Sequence, residues 1–172
     1  MNRSDIQLLL DYNRWGNARI LGAAAELTDE EFRAPGRFPH GGLRATLVHA
    51  LFAEWVWRMR WLGTPPHSHH RWKPEEFPTL AALRARWTDE EARLMEFAGR
   101  LTEKELKAEI EYTSTEGGRH TRVRWETMVH LVNHGTQHRT EAAAMLTDFG
   151  HSPGDIDLIV FLNERPAERG LA

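Results

Sequence analysis

Val129-His130-Leu131-Val132-Asn133-His134-Gly135-Thr136-Gln137-His138-Arg139 places three histidines at i, i+4 and i+8 of a segment with helical spacing. Side chains four residues apart lie one turn apart on one helix face, with Cβ atoms about 5–6 Å from each other. Two such imidazoles can point at one ion. His130 and His138 are roughly 12 Å apart along an axis that rises 1.5 Å per residue, whereas a metal–nitrogen bond spans only about 2.0–2.1 Å. One adjacent pair, His130 with His134 or His134 with His138, can therefore share an ion, and a third ligand has to come from elsewhere. The same positions also fit the buried stripe of an amphipathic helix, where histidine is hydrogen-bonded filler. Gly135 leaves the space between the candidates free of a side chain, although glycine costs a helix about 1 kcal/mol relative to alanine. Met128, Leu131 and Val132 before the motif, and Ala142 and Met145 after it, are apolar enough to bury the segment. His49, alone in another strongly apolar helical stretch, is the candidate third ligand.

Working outward, the spacing predicts a helix from about Trp125 to Phe149, stopped by Gly150. Before it, Lys107 to Thr113 alternates polar and apolar, Glu116-Gly117-Gly118 makes a turn, and Arg119 to Arg124 returns, which reads as a small β-hairpin. Ser4-Asp5-Ile6-Gln7 reads as a capping box opening a first helix that ends near Leu27. Thr28 caps a short turn, and Arg33 to Gly42 is a loop. Leu43 to Leu62 is a second long helix, apolar on much of its circumference and hence buried on more than one side. Thr64 to Pro78 is a long loop carrying Pro66-His67-Ser68-His69-His70, read as a surface loop with adventitious metal affinity; the alternative is an outer ligand or a lid over the metal. Thr79 caps a third helix with Leu80, Leu83, Trp87, Leu94 and Phe97 as its stripe and Glu90, Glu91, Arg93 and Glu96 as its solvated face. Thr102 to Leu106 is another capped turn. Ser152-Pro153-Gly154-Asp155 reads as the start of a short fifth helix over Ile156 to Asn163, followed by a loose tail. Four long helices with short connections make an all-α four-helix bundle.

At 172 residues the chain is most simply one domain, 1–172. A formal net charge of −3 gives no basic field for nucleic acid, so direct nucleic-acid binding is not expected. The absence of cysteine rules out disulfides, cysteine ligands and a cysteine nucleophile in this chain, and fits a cytoplasmic setting. Met1 is followed by Asn-Arg-Ser-Asp, so no signal peptide is expected. No apolar run approaches the ~20 residues that cross a bilayer, so no membrane partner is expected. The seven tryptophans suit large helix faces, each indole N–H needing an acceptor.

The chain resembles the DinB / YfiT-like family of metal-binding four-helix bundles over nearly its whole length. The resemblance rests on Tyr12-Asn13-Arg14-Trp15-Gly16-Asn17, on Leu47-Val48-His49 with Glu54-Trp55, and above all on His130 to Arg139 followed by Met145-Leu146 and Gly150. It implies His49, His134 and His138 as the metal ligands, with His130 a packing or supporting residue. The family often continues His-Arg-Gly-Gln, whereas this chain reads His138-Arg139-Thr140-Glu141. Glu141 is read first as solvent-facing; the alternative is a residue that orients a ligand or accepts a proton. Asn17 either reaches the cavity as a hydrogen-bond donor or serves in capping or is solvated. Arg58, Arg60 and Arg139 are read as salt-bridged surface residues, with anion binding the alternative. His40, His120 and His151 receive no role.

Three protein ligands leave an open position, the arrangement of catalytic zinc; nickel, iron and manganese also accept imidazole. The expected cofactor is a divalent transition metal, zinc or nickel first. The expected function is a metal-dependent enzyme acting on a small molecule. The resemblance implies a thiol-dependent S-transferase that takes a low-molecular-weight thiol. A metal-dependent hydrolase and a non-enzymatic metal-binding stress or DNA-damage-response protein are the alternatives. Apolar helix faces and the family make a homodimer the expected assembly.

Overall fold

The computed structural model describes residues 1–65, 67 and 70–165. The centre of the histidine-rich loop (Pro66, Ser68 and His69) and residues 166–172 of the expected tail lie outside them. The chain forms α1 (Arg3–Ala24), α2 (Asp29–Arg33), α3 (Leu43–Trp61), α4 (Leu80–Arg100), α5 (Glu103–Leu106), β1 (Glu109–Thr113), β2 (Arg119–Val123), α6 (Arg124–Asp148) and α7 (Leu158–Glu164). The four long helices pack in the cyclic order α1, α6, α3, α4. β1 and β2 form an antiparallel hairpin with Tyr112 opposite His120. The fold is thus all-α with one small hairpin, as the spacing predicts. No described helix is long and apolar enough to cross a membrane.

The helix ends follow capping chemistry, with two shifts from the sequence reading. α1 opens on Asn2, not Ser4: Asn2 Oδ1 accepts from the Asp5 amide at 3.0 Å while the Asp5 carboxylate accepts from the Asn2 amide at 2.9 Å. The short asparagine amide makes the reciprocal pair two residues earlier, and Ser4 Oγ merely donates to it. α7 opens on Asp157, whose side chain accepts from the Ile159 amide. Ser152 to Asp155 stays irregular, with Gly154 at φ +74°, a conformation that interrupts a helix. Thr28 and Thr102 make the expected boxes with Glu31 and Glu105.

Two apolar clusters fill the bundle. One contains Ile6, Leu10, Trp57, Trp61, Leu94 and Leu131. The other contains Ile20, Leu47, Leu51, Trp87, Ala142 and Leu146. Between them every long helix contributes polar side chains: Asn13 and Asn17 from α1, Glu54 and Arg58 from α3, Glu90 from α4, and His138 and Arg139 from α6, all buried. Glu90 is therefore not on a solvated face. It is fully buried and forms a bidentate ion pair with Arg58, which is likewise not a surface residue. Arg139 is also buried, at 2% exposure.

Candidate metal centre

Around Glu54 and Arg139 the polar layer forms one connected network. Glu54 Oε1 accepts from the side-chain amides of Asn13 (2.7 Å) and Asn17 (2.9 Å), and Oε2 accepts from the Trp87 indole (3.2 Å). Arg139 donates to the carbonyl oxygens of the same asparagines, at 2.5 and 3.0 Å, and to Thr136 Oγ1 at 2.9 Å. Burial pushes the Glu54 carboxyl upward, and the asparagine bonds and the Arg139 charge oppose that shift. Asn17 is thus a buried structural donor, neither solvated nor placed in the cavity beside the histidines. Gly135 serves this network, not an ion: a Cβ there would meet Asn13 Oδ1 at 2.7 Å and Arg139 Nη1 at 2.8 Å. Gly16 gives Arg139 the same clearance from α1.

The network fixes α1, α3 and α6 directly behind four histidines. His49 projects from α3, five residues before Glu54. His134 and His138 project from α6 one turn apart. His49 Nε2 lies 3.3 Å from His134 Nε2, which lies 3.2 Å from His138 Nε2. Two nitrogens bound tetrahedrally at 2.0–2.1 Å to one ion would sit about 3.3–3.4 Å apart. The ring planes meet at 47° (His49 with His134), 68° (His134 with His138) and 79° (His49 with His138), so in-plane lone pairs can converge. Burial first, then the neighbouring histidines, pushes His49 down to about 3 and His134 down to about 4. Both are therefore neutral at neutral pH, the form that binds metal. Facing neutral nitrogens share few protons among them, and a cation would satisfy the lone pairs together.

Glu141 is not solvent-facing. Its carboxylate sits 2.8 Å from His138 Nδ1, with the Glu141 side chain 13% exposed. A carboxylate there holds the proton on Nδ1 and turns the Nε2 lone pair toward the cluster, as supporting carboxylates do at metal sites. The buried His134 Nδ1 has no partner among the described residues. His130 lies away from the convergence, its ring 5.8 Å from that of His134 and 5.3 Å from Trp57.

His40, which sequence reasoning left without a role, joins the cluster. Its ring stacks on His49 at 3.7 Å and 17°. By distance alone, nitrogens of His40, His49 and His138 lie within 4.8 Å of one another and could hold an ion. Ring orientation argues otherwise for this pose, because a bound ion lies near the plane of each imidazole. Planes this close to parallel do not meet within bonding distance of both rings. His134 meets His49 at 47°, and the His40 ring stacks over His49. A tight turn puts it there: the Gly41 amide donates to Phe38 O at 2.7 Å, Pro39 occupies the second turn position, and Gly41 has φ +93°. The glycines around His40 were the one signal in the sequence.

A cavity of about 290 Å³ opens beside the cluster, lined by His49, His130 and His134 together with Trp57, Arg60 and Tyr112. The histidines thus combine a metal-sized convergence with an adjoining space for a small molecule.

Comparison with known proteins agrees with this architecture. No curated protein matches the chain. The DinB family model matches residues 1–169, and the chain belongs to the DinB family.

Proposed function

We propose that this protein is a metal-dependent enzyme in which His49, His134 and His138 hold one divalent transition ion and a low-molecular-weight thiol is the acceptor in a group transfer. The observation that carries the reading is the pair of Nε2 contacts at 3.3 and 3.2 Å between rings whose planes converge. Imidazole ligands suit zinc or nickel, with iron and manganese also acceptable. An ion held there would supply Lewis acidity, lowering the pKa of a thiol or water at the open position. The chain does the rest. His49 and His134, kept unprotonated by burial, offer lone pairs at neutral pH. Glu141 fixes the tautomer of His138. The cavity beside His49 and His134 offers space for a substrate next to the ion, and the His40 ring stacks over His49. With no cysteine in the chain, the thiol comes from outside.

The test is thiol consumption with a soluble electrophile by zinc-loaded and nickel-loaded protein, with His49→Ala as control. Turnover that is lost in the variant supports the reading. Turnover of an ester or amide without thiol would favour a hydrolase built on the same residues. A second reading has one observation in its favour. His40 lies close enough to swing onto the open position, which would close the site with four imidazoles and suit a non-enzymatic metal-binding protein. Cobalt absorption distinguishes them: adding thiol shifts the spectrum of an open site and leaves a closed one unchanged.

A further inference from the structure

Arg60, near the C-terminal end of α3, lines the cavity beside the histidines. Its guanidinium lies 4.5 Å from the Trp57 ring and 5.1 Å from the Tyr112 ring. Its Nη2 donates to the Thr113 carbonyl at 2.9 Å, while its buried Nε has no partner among the described residues. Burial, and then the charge of Arg71, push Arg60 downward. Arg71 lines the same cavity and donates to the carbonyls of His70 (2.7 Å) and Thr115 (3.4 Å). No carboxylate is among the described residues lining this cavity or the adjoining one that both arginines share. The other buried arginines are compensated: Arg58 by Glu90, and Arg139 by two asparagines beside Glu54. Arg60 makes no ion pair among the described residues. A half-buried cation without a counter-charge is unfavourable until an anion joins it.

The cavity also connects charge to chemistry. Arg60 and Arg71 line the same cavity as His49, His130 and His134, so the cations act on the same space as the histidines. Its size, about 290 Å³, is at the lower end of small-molecule sites.

Resting on the proposed function, we infer that this cavity recognises a small carboxylate-bearing ligand: the carboxylate pairs with Arg60, Trp57 and Tyr112 flank the carbon skeleton, and its thiol faces His49 and His134. Arg60 is a binding residue that sets specificity, outside the metal-holding set.

Two titrations test it. In the first, cobalt-loaded protein is titrated with 3-mercaptopropionate and with 2-mercaptoethanol, following the sulfur-to-cobalt absorption band. Wild type should prefer the anionic thiol by about tenfold or more, the strength expected of a charge-assisted contact. Arg60→Gln should lose that preference while still binding one cobalt, and Arg60→Lys should retain part of it. In the second, metal-free protein is titrated with benzoate and with benzyl alcohol, following tryptophan fluorescence. Wild type should favour benzoate, and Arg60→Gln should not. Equal affinity for charged and neutral probes in wild type, or a preference unchanged in Arg60→Gln, overturns the anion site. Benzoate discrimination alongside a cobalt spectrum indifferent to both thiols keeps the anion site and overturns the thiol assignment.

Discussion

Two polar clusters lie side by side on α6 and differ in kind: in one, donors meet acceptors, and in the other, imidazole nitrogens face one another. In the Asn13–Glu54–Asn17–Arg139 network the amides and the guanidinium divide donors and acceptors so that Glu54 receives three hydrogen bonds. In the histidine cluster the Nε2 atoms of His49 and His138 each lie against that of His134, and His134 Nδ1 is buried without a partner among the described residues. The bonded network ties α1, α3 and α6 together, with only Arg139 Nε lacking a partner among the described residues, whereas the facing histidine nitrogens are compatible with a cation. The division falls between adjacent residues, His138 and Arg139, which leave α6 in different directions. On the proposed function the first cluster governs stability and the second governs metal binding, so substitutions in the two should have separable effects.

Breaking the network should give the largest effect. Arg139→Ala leaves the carbonyl oxygens of Asn13 and Asn17 buried without donors and opens a void between Gly16 and Gly135. A loss of about 3–5 kcal/mol is expected in urea unfolding of the metal-free protein, and a loss below about 1 kcal/mol would contradict the structural role. Glu141→Gln tests the other side: metal affinity should fall about 10–100-fold, as for other residues that orient a ligand, with unfolding little changed. Competition with a chromogenic chelator measures it, and an unchanged affinity would remove Glu141 from the site. Gly135→Ala sharpens the boundary. Its Cβ would strike Asn13 and Arg139, so it should cost about 1–3 kcal/mol in stability yet leave metal stoichiometry intact.

The smallest effect lies outside both clusters, at Glu91. Burial first, then the nearby Glu54, push its carboxyl up from 4.5 to about 7, against a lowering by Arg14. The folded chain therefore keeps a proton that the unfolded chain releases, so this group's contribution to stability is full below about pH 4.5 and is lost as pH rises to about 7. Glu91→Gln should be more stable than wild type at pH 8 by about 1 kcal/mol, discounted for its partial exposure, and no more stable at pH 4. Equal stability differences at the two pH values would sink this assignment.

Most of the architecture was legible because it is local and periodic. The helix spans, the threonine caps, the hairpin and the glycine stops each follow from neighbouring residues. The buried polar layer was legible in principle, because its members occupy core spacing: 6, 10, 13, 17, 20 on α1 and 83, 87, 90, 94 on α4. Reading Glu90 as solvated followed its charge and ignored its position. Arg58 and Arg139 were misread for the same reason, since charge suggests surface until a buried partner on another helix is known. His40 was beyond reach, because a loop has no period and only the folded turn of Phe38 to Gly41 brings it against α3. Glu141 depended on a single rotamer that the sequence does not specify.

Metal content tests the central claim most directly. Untagged protein, loaded with zinc or nickel and dialysed, should carry about one ion per chain, and His49→Ala, His134→Ala and His138→Ala should each lose it while His130→Ala keeps it. Full occupancy retained in His134→Ala, or no uptake of zinc, nickel, iron or manganese by the wild-type protein, would contradict the account and leave the histidines as packing residues.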